Sequence, residues 1–251
     1  MIYIYPQAEP FFLDGSQDAA LLFIHGFTAS PSELYPTVRL IHELCGCTLS
    51  VPLLPGHGST PRFLNQTDWE QWYAAVEKEL SFLMERYQRV FVGGLSMGAL
   101  LALHAGCLLS GLKGAIAINT PIFNYSPVLT AASPLIRWVK PFYPKKDRLR
   151  LRELEEKGRF AYDVIPVKAF RSVTRLRNLV IQEIDEVKLP VLLVQSLQDE
   201  SVQPRSAYFL QEKLARSELL ELPDSDHIAT MGGEKDKLAR AIADFLENRS
   251  D

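Results

Sequence analysis

Short apolar runs alternate along this chain with longer stretches in which apolar residues recur every three or four positions. The first run, residues 20–24, is apolar without a break, as suits a strand buried on both faces. Similar runs lie at 47–53, 89–92, 114–118, 191–195 and 218–222. Helix patterns stand between them. Ser30-Pro31-Ser32-Glu33 reads as a capping box with proline at the first helical position, opening a helix to about Leu44. Asp68-Trp69-Glu70-Gln71 is a second helix start, followed by apolar positions at Trp72, Val76, Leu80, Leu83 and Tyr87. Further helices are predicted at 97–109, 204–215 and 234–248. Strands alternating with helices of this length imply an α/β fold, a mostly parallel sheet flanked by helices on both faces. In such sheets chemistry collects at the carboxyl ends of the strands.

One segment breaks the alternation. Residues 121–188 hold prolines, aromatics and amphipathic helix candidates but no buried strand run. That is too long for a plain loop in a compact domain. The expected organisation is a core of residues 1–120 and 189–251, with 121–188 as a helical cap insertion over the strand ends. The sheet edge before Ala20 is hard to trace, so a shortened sheet is expected there.

Composition narrows the class without naming it. The chain has 251 residues, enough for one sizeable core, and 47% hydrophobic with 23% charged residues argues against disorder. A net charge of −3 gives no reason to expect nucleic acid as a partner. No apolar stretch reaches the length of a membrane-spanning helix. The first six residues lack a basic region and a long apolar run, so no secretory leader and a cytoplasmic location are expected. Cys45, Cys47 and Cys107 do not form a disulfide framework, and Cys45-Gly46-Cys47 reads as two small buried residues around a glycine helix cap. No metal site is expected.

Candidate chemistry centres on Gly94-Leu95-Ser96-Met97-Gly98, a G-x-S-x-G turn between an apolar strand run and a helix. Flanking glycines permit a sharp turn, and the helix N-terminus offers free N–H groups to an oxyanion. An activated serine needs a base, a group that orients the base, and oxyanion donors. His227 follows the strand run ending at Leu222, the right place for a base; its bland alternative is a solvated loop histidine. Asp199 follows the run 191–195 and is favoured as the orienting acid, with Glu200 as its neighbouring competitor and Asp224 and Asp226 beside the histidine. A turn or helix-cap role is the alternative for Asp199. The order Ser…Asp…His differs from those of chymotrypsin-like and subtilisin-like proteases. Met97 N–H and Phe27 N–H are the expected oxyanion donors, with His25 bracing the loop that carries Phe27. His57, in Gly56-His57-Gly58, is either a turn residue or a pocket residue. His42 and His104 fall inside helices and read as packing or surface groups.

Together, His25-Gly26-Phe27-Thr28-Ala29-Ser30-Pro31, Pro55-Gly56-His57-Gly58, Asp68-Trp69, the G-x-S-x-G turn, Asp199 and Asp226-His227 resemble small bacterial carboxylesterases and monoacylglycerol lipases of the α/β-hydrolase superfamily. The likeness spans nearly the whole chain and is weakest between Pro121 and Lys188, where that family carries a small helical cap. It implies Ser96 as nucleophile, Asp199 and His227 as its partners, Phe27 and Met97 as oxyanion donors, no cofactor, and short- to medium-chain acyl esters or monoacylglycerols as substrates. A thioesterase or C–C bond hydrolase would use the same residues, and a non-catalytic ligand receptor is the alternative from another class. Within the insertion, the apolar stretch 127–139, including Trp138, is expected to line an acyl pocket or pack the cap. The basic run Lys140, Lys145, Lys146, Arg148, Arg150 and Arg152 is expected to be a solvated face, with weak attraction to an anionic membrane surface as the sharper alternative. Oligomeric state is not encoded in any of these patterns.

Overall fold

A computed structural model describes residues 3–16, 18–125, 141–145 and 148–248. Its centre is a seven-stranded sheet built from β1 (Phe11–Leu13), β2 (Ala19–Ile24), β3 (Thr48–Val51), β4 (Arg89–Leu95), β5 (Leu112–Ile118), β8 (Val191–Ser196) and β9 (Ser217–Leu222). They lie in the order β1-β3-β2-β4-β5-β8-β9, all parallel except β1, which runs antiparallel to β3. The edge that sequence left untraced therefore carries one three-residue strand.

Side chains of the inner strands alternate between two apolar layers, as period-two geometry requires. Ala20, Leu22 and Ile24 of β2 face one layer, Ala19, Leu21 and Phe23 the other. Burying a side chain such as Phe23 stabilises the fold by about 1.5–3 kcal/mol. On the first face pack α3 (Trp69–Met84), α4 (Met97–Leu108), α6 (Val167–Glu183) and α7 (Arg205–Lys213). On the second pack α1 (Tyr35–Cys45) and α8 (Lys235–Glu247). The short α2 (Pro61–Leu64) precedes α3, and α5 (Arg148–Glu156) lies in the 121–188 segment. That segment also holds an antiparallel pair of three-residue strands, β6 (Phe142–Pro144) and β7 (Val164–Pro166), which sequence did not anticipate. Its last helix, α6, puts Ala169, Leu176 and Val180 into the same layer as α3 and α4.

Local signals met different outcomes. Asp68 caps α3 as expected: its side chain accepts from Gln71 N–H, and the Gln71 side chain accepts from Asp68 N–H. Gly46 ends α1 in the left-handed region at φ 62°, leaving Cys45 and Cys47 buried on either side. The box at Ser30 does not form. Residues Pro31–Glu33 make a single 3-10 turn, α1 starts at Tyr35, and Ser30 Oγ bonds Ser32 Oγ and the Phe160 carbonyl instead. Glu33 is drawn away by partners far along the chain, described below. No helix among the described residues is long and apolar enough to cross a membrane.

Candidate active site

The strand β4 ends at Leu95 and α4 starts at Met97, so Ser96 alone makes the turn. It does so at φ 58°, ψ −113°, a conformation that costs a side-chain-bearing residue about 1–3 kcal/mol. Backbone crowding explains both flanking glycines. A Cβ on Gly94 would lie 2.2 Å from the Gly98 carbonyl carbon, and one on Gly98 would lie 2.1 Å from the Ile24 carbonyl oxygen. The turn is held from the neighbouring strand: Ser96 N–H donates to the Ile118 carbonyl at 2.8 Å.

His227 and Asp199 meet, although 28 residues separate them. Asp199 lies after β8, His227 after β9, and Nδ1 of the imidazole is 2.6 Å from Asp199 Oδ2. The other carboxylate oxygen accepts N–H groups of Ser201 at 2.7 Å and Val202 at 2.9 Å. Asp199 is thus both a turn residue and a histidine partner. With acceptors on its side of the contact, Nδ1 carries the proton and donates, which leaves Nε2 as the basic nitrogen. The carboxylate side chain is fully buried while the imidazole remains 23% exposed. Glu200 is exposed, and Asp226 turns to cap Ile228 N–H.

A residue that sequence reading passed over connects the serine turn to the histidine loop. Asn119 follows Ile118, the acceptor for Ser96 N–H. It is fully buried and sits at φ 48°. Its Nδ2 donates to the His227 carbonyl at 3.0 Å and to Ser196 Oγ at 2.9 Å, and its Oδ1 accepts Ser196 N–H at 2.8 Å. One side chain therefore joins the ends of β5 and β8 and the loop after β9. Asparagine tolerates the left-handed region better than most residues, which was the only signal available in advance.

The loop after β2 is braced at nearly every polar group. His25 is completely buried, its Nδ1–H donating to the Gly26 carbonyl and its Nε2 accepting Leu54 N–H. Burial pushes this imidazole below its usual pKa, in keeping with a neutral supporting role. Gly26 N–H donates to Glu33 Oε1 at 2.6 Å, and Glu33 Oε2 pairs with the Arg159 guanidinium at 2.8 Å. Both charged groups are buried. Thr28, at φ 65°, donates its hydroxyl to the Phe27 carbonyl and accepts from Lys145 Nζ at 2.7 Å. Among the described residues, neither Phe27 N–H nor Met97 N–H donates to a protein acceptor.

The remaining sequence candidates make contacts of their own. His57 is buried; its Nδ1 bonds the Pro55 carbonyl and its Nε2 has no partner among the described residues. Its ring packs edge-on to His25 and Trp72, and burial with the neighbouring His25 holds its pKa well below normal. His104 is a core residue paired with Glu183 of α6, while His42 bonds the Cys47 carbonyl. The stretch 127–139 with Trp138, along with Lys140 and Lys146, lies outside the described residues. Arg152 is exposed as expected, but Lys145 is not part of a solvated face: its amine turns inward to Thr28, between Glu33, Arg159 and Asp163. Nothing in the sequence pointed Glu33, Arg159 and Lys145 to one another or to Thr28, since their partners lie up to 126 residues away.

Known proteins resemble this chain over nearly its whole length. The chain is 26% identical over 243 residues to the thermostable monoacylglycerol lipase of Bacillus sp. (strain H-257), covering 95% of this chain and 94% of that one. It is 26% identical over 248 residues to a carboxylesterase of Bacillus subtilis (strain 168), covering 95% and 96%. A solved structure described under LipS and LipT, two metagenome-derived lipolytic enzymes, superposes with a TM-score of 0.87 at 28% identity, covering 98% of this chain and all of that one. The monoacylglycerol lipase of Paleococcus ferrophilus gives 0.82 at 17% identity, covering 99% of this chain and 100% of that one, a likeness of fold. The family model for the alpha/beta hydrolase family matches residues 21–241, from the first buried parallel strand into the last helix. With that match over most of its length, beside its sheet order and its strained serine turn, this chain belongs to the alpha/beta hydrolase family.

Proposed function

We propose that this protein hydrolyses carboxylic esters through an acyl-enzyme on Ser96. The observation that carries the proposal is the 2.6 Å contact between His227 Nδ1 and the buried Asp199 carboxylate, on the loops that follow β8 and β9. A histidine so oriented offers Nε2 to a serine proton. The names of its relatives, a monoacylglycerol lipase and a carboxylesterase, agree with an ester substrate.

His227 Nε2 accepts the Ser96 proton as Ser96 Oγ bonds to the acyl carbon. The carbonyl electrons move to oxygen, where the N–H groups of Phe27 and Met97, without an acceptor among the described residues, receive the oxyanion. Collapse breaks the ester bond, and His227 returns the proton to the departing alkoxide. A water molecule then gives its proton to His227 and attacks the acyl carbon, and Ser96 leaves protonated as the acid is released. Asp199 holds the imidazole in the productive tautomer and faces the positive charge that it acquires. No step requires a cofactor. The substrates proposed are short- to medium-chain acyl esters or monoacylglycerols.

The test is turnover of p-nitrophenyl esters of graded chain length, beside monoacylglycerols and acyl-CoA thioesters. Ser96→Ala should abolish turnover and fluorophosphonate labelling with the thermal transition retained. Asp199→Asn should lower kcat by roughly 10⁴-fold, as wrong-tautomer variants of serine hydrolases do. Full activity in Ser96→Ala would refute the proposal, and thioester turnover exceeding ester turnover would move the substrate class.

A further inference from the structure

Lys145, Thr28, Glu33 and Arg159 form a polar cluster behind the loop that carries Phe27. Two of its members, Lys145 and Arg159, come from the 121–188 segment, and two from the loop after β2 and the turn that follows it. Lys145 is fixed at both ends. Its backbone N–H donates to the Asp163 carbonyl at 2.9 Å, and its amine donates to Thr28 Oγ1 at 2.7 Å. The Thr28 hydroxyl then has one proton to give, and it goes to the Phe27 carbonyl at 2.5 Å. Next along the chain, Tyr162 N–H donates to the Thr28 carbonyl at 2.8 Å. The Phe27–Thr28 backbone is thereby held by a relay from outside the sheet, and Thr28 is kept at a positive φ that a β-branched residue does not adopt unaided.

We propose that Lys145 is a positioning residue for the oxyanion loop, acting on Phe27 through the Thr28 hydroxyl. The proposal rests on the assignment of Phe27 N–H as an oxyanion donor. Removing the amine frees the hydroxyl rotor, loosens its bond to the Phe27 carbonyl, and lets the adjoining N–H drift from the developing oxyanion. Such donors act by being fixed before charge develops, so the loss falls on kcat and not on KM. The charged groups facing the amine are Glu33 from the 3-10 turn after β2, and Arg159 and Asp163 from the stretch between α5 and β7. Burial and the nearby Arg159 bring the amine down to about 7, against a modest opposing pull from Glu33 and Asp163. Protonated, it is the stronger donor and adds positive charge behind the loop, so its contribution is greatest on the acid side of that value.

The test compares wild type with Lys145→Met, Thr28→Val and the double variant on p-nitrophenyl butyrate. Lys145→Met should lower kcat about tenfold at pH 6, with KM within about twofold and the thermal midpoint unchanged or higher. The deficit should shrink to below about threefold at pH 9, where the wild-type amine is neutral. Thr28→Val should show a similar kcat deficit, and the double variant should fall no further than the worse single one. A kcat of Lys145→Met within twofold of wild type at pH 6 would overturn the proposal, as would a deficit equal at both pH values or a fall in thermal midpoint that accounts for the lost activity. Thr28→Ser keeps the hydroxyl and should retain wild-type kcat; if it matches Thr28→Val, the relay is refuted. An inactive Ser96→Ala beside an unaffected Lys145→Met would sink this inference alone, whereas an active Ser96→Ala would remove the mechanism beneath it.

Discussion

Replacing Asn119 by alanine should unhitch the histidine loop from the serine turn. The side chain makes three good hydrogen bonds in a fully buried position, to Ser196 N–H, Ser196 Oγ and the His227 carbonyl. Ser196 Oγ loses one donor but keeps its own O–H to give, whereas Ser196 N–H and the His227 carbonyl are left without this partner. At about 1–3 kcal/mol for each buried group left unpaired, the two together cost about 4 kcal/mol. Alanine at φ 48° adds roughly 1 kcal/mol of backbone strain. A loss of this size should lower the thermal midpoint by roughly 10–20 °C in a domain of this length. Activity should fall further than stability explains, because the His227 carbonyl is on the residue whose imidazole is proposed to take the Ser96 proton. The assay is thermal unfolding by circular dichroism, with kcat measured well below the transition. Asn119→Gly, which relieves the strain but not the lost bonds, should recover only about 1 kcal/mol. An Asn119→Ala protein with an unchanged midpoint and kcat within twofold of wild type would refute the assigned role.

Three further outcomes are expected. Gly98→Ala should fail to fold or unfold at much lower denaturant, since its Cβ would meet the Ile24 carbonyl at 2.1 Å with only backbone to give way; a soluble, fully active variant would refute that packing. Glu33→Gln strands the buried Arg159 charge and should cost about 3–5 kcal/mol, whereas Glu33→Gln combined with Arg159→Met should be less destabilising than the single change; additive costs in a urea-unfolding cycle would show that the pair is not coupled. The folded-state Lys145 amine lies at about 7, below its ordinary 10.5, so between those values the unfolded chain binds the extra proton. Stability relative to Lys145→Met should therefore rise with pH from about 7 toward 10.5 and stay level below 7, as read from denaturation midpoints; an opposite slope would refute the burial of that amine.

The parts of the site legible in sequence share one property: each follows a long apolar run. Ser96, Asp199 and His227 stand just beyond β4, β8 and β9, whose six or seven residues announce themselves by composition. Strands of three residues, β1, β6 and β7, are shorter than any period that could reveal them. Glu33 shows the other limit. Locally it completes a capping pattern, and a partner 126 residues away outcompetes that pattern with a buried charge that must be neutralised. Lys145 sits in a basic run whose average is solvated, but only geometry tells which member turns inward. Asn119 carries no motif at all, since its role depends on three groups brought together by sheet closure.

The stretch from Arg159 to Tyr162 ties down two separate segments, 28–33 and 56–59. Arg159 reaches Glu33, Phe160 N–H reaches Ser32 Oγ, Tyr162 N–H reaches the Thr28 carbonyl, and the Tyr162 hydroxyl bonds both the Gly56 carbonyl and Ser59 N–H. For anyone recombining this chain with a relative, these four residues belong to the body of the enzyme and not to the exchangeable piece. A crossover placed before Arg159, so that the native 159–162 stretch is retained, preserves all of these bonds. One that brings in foreign residues at 159–162 must bring matching partners at 28–33 and 56–59, or the chimera will lose these ties.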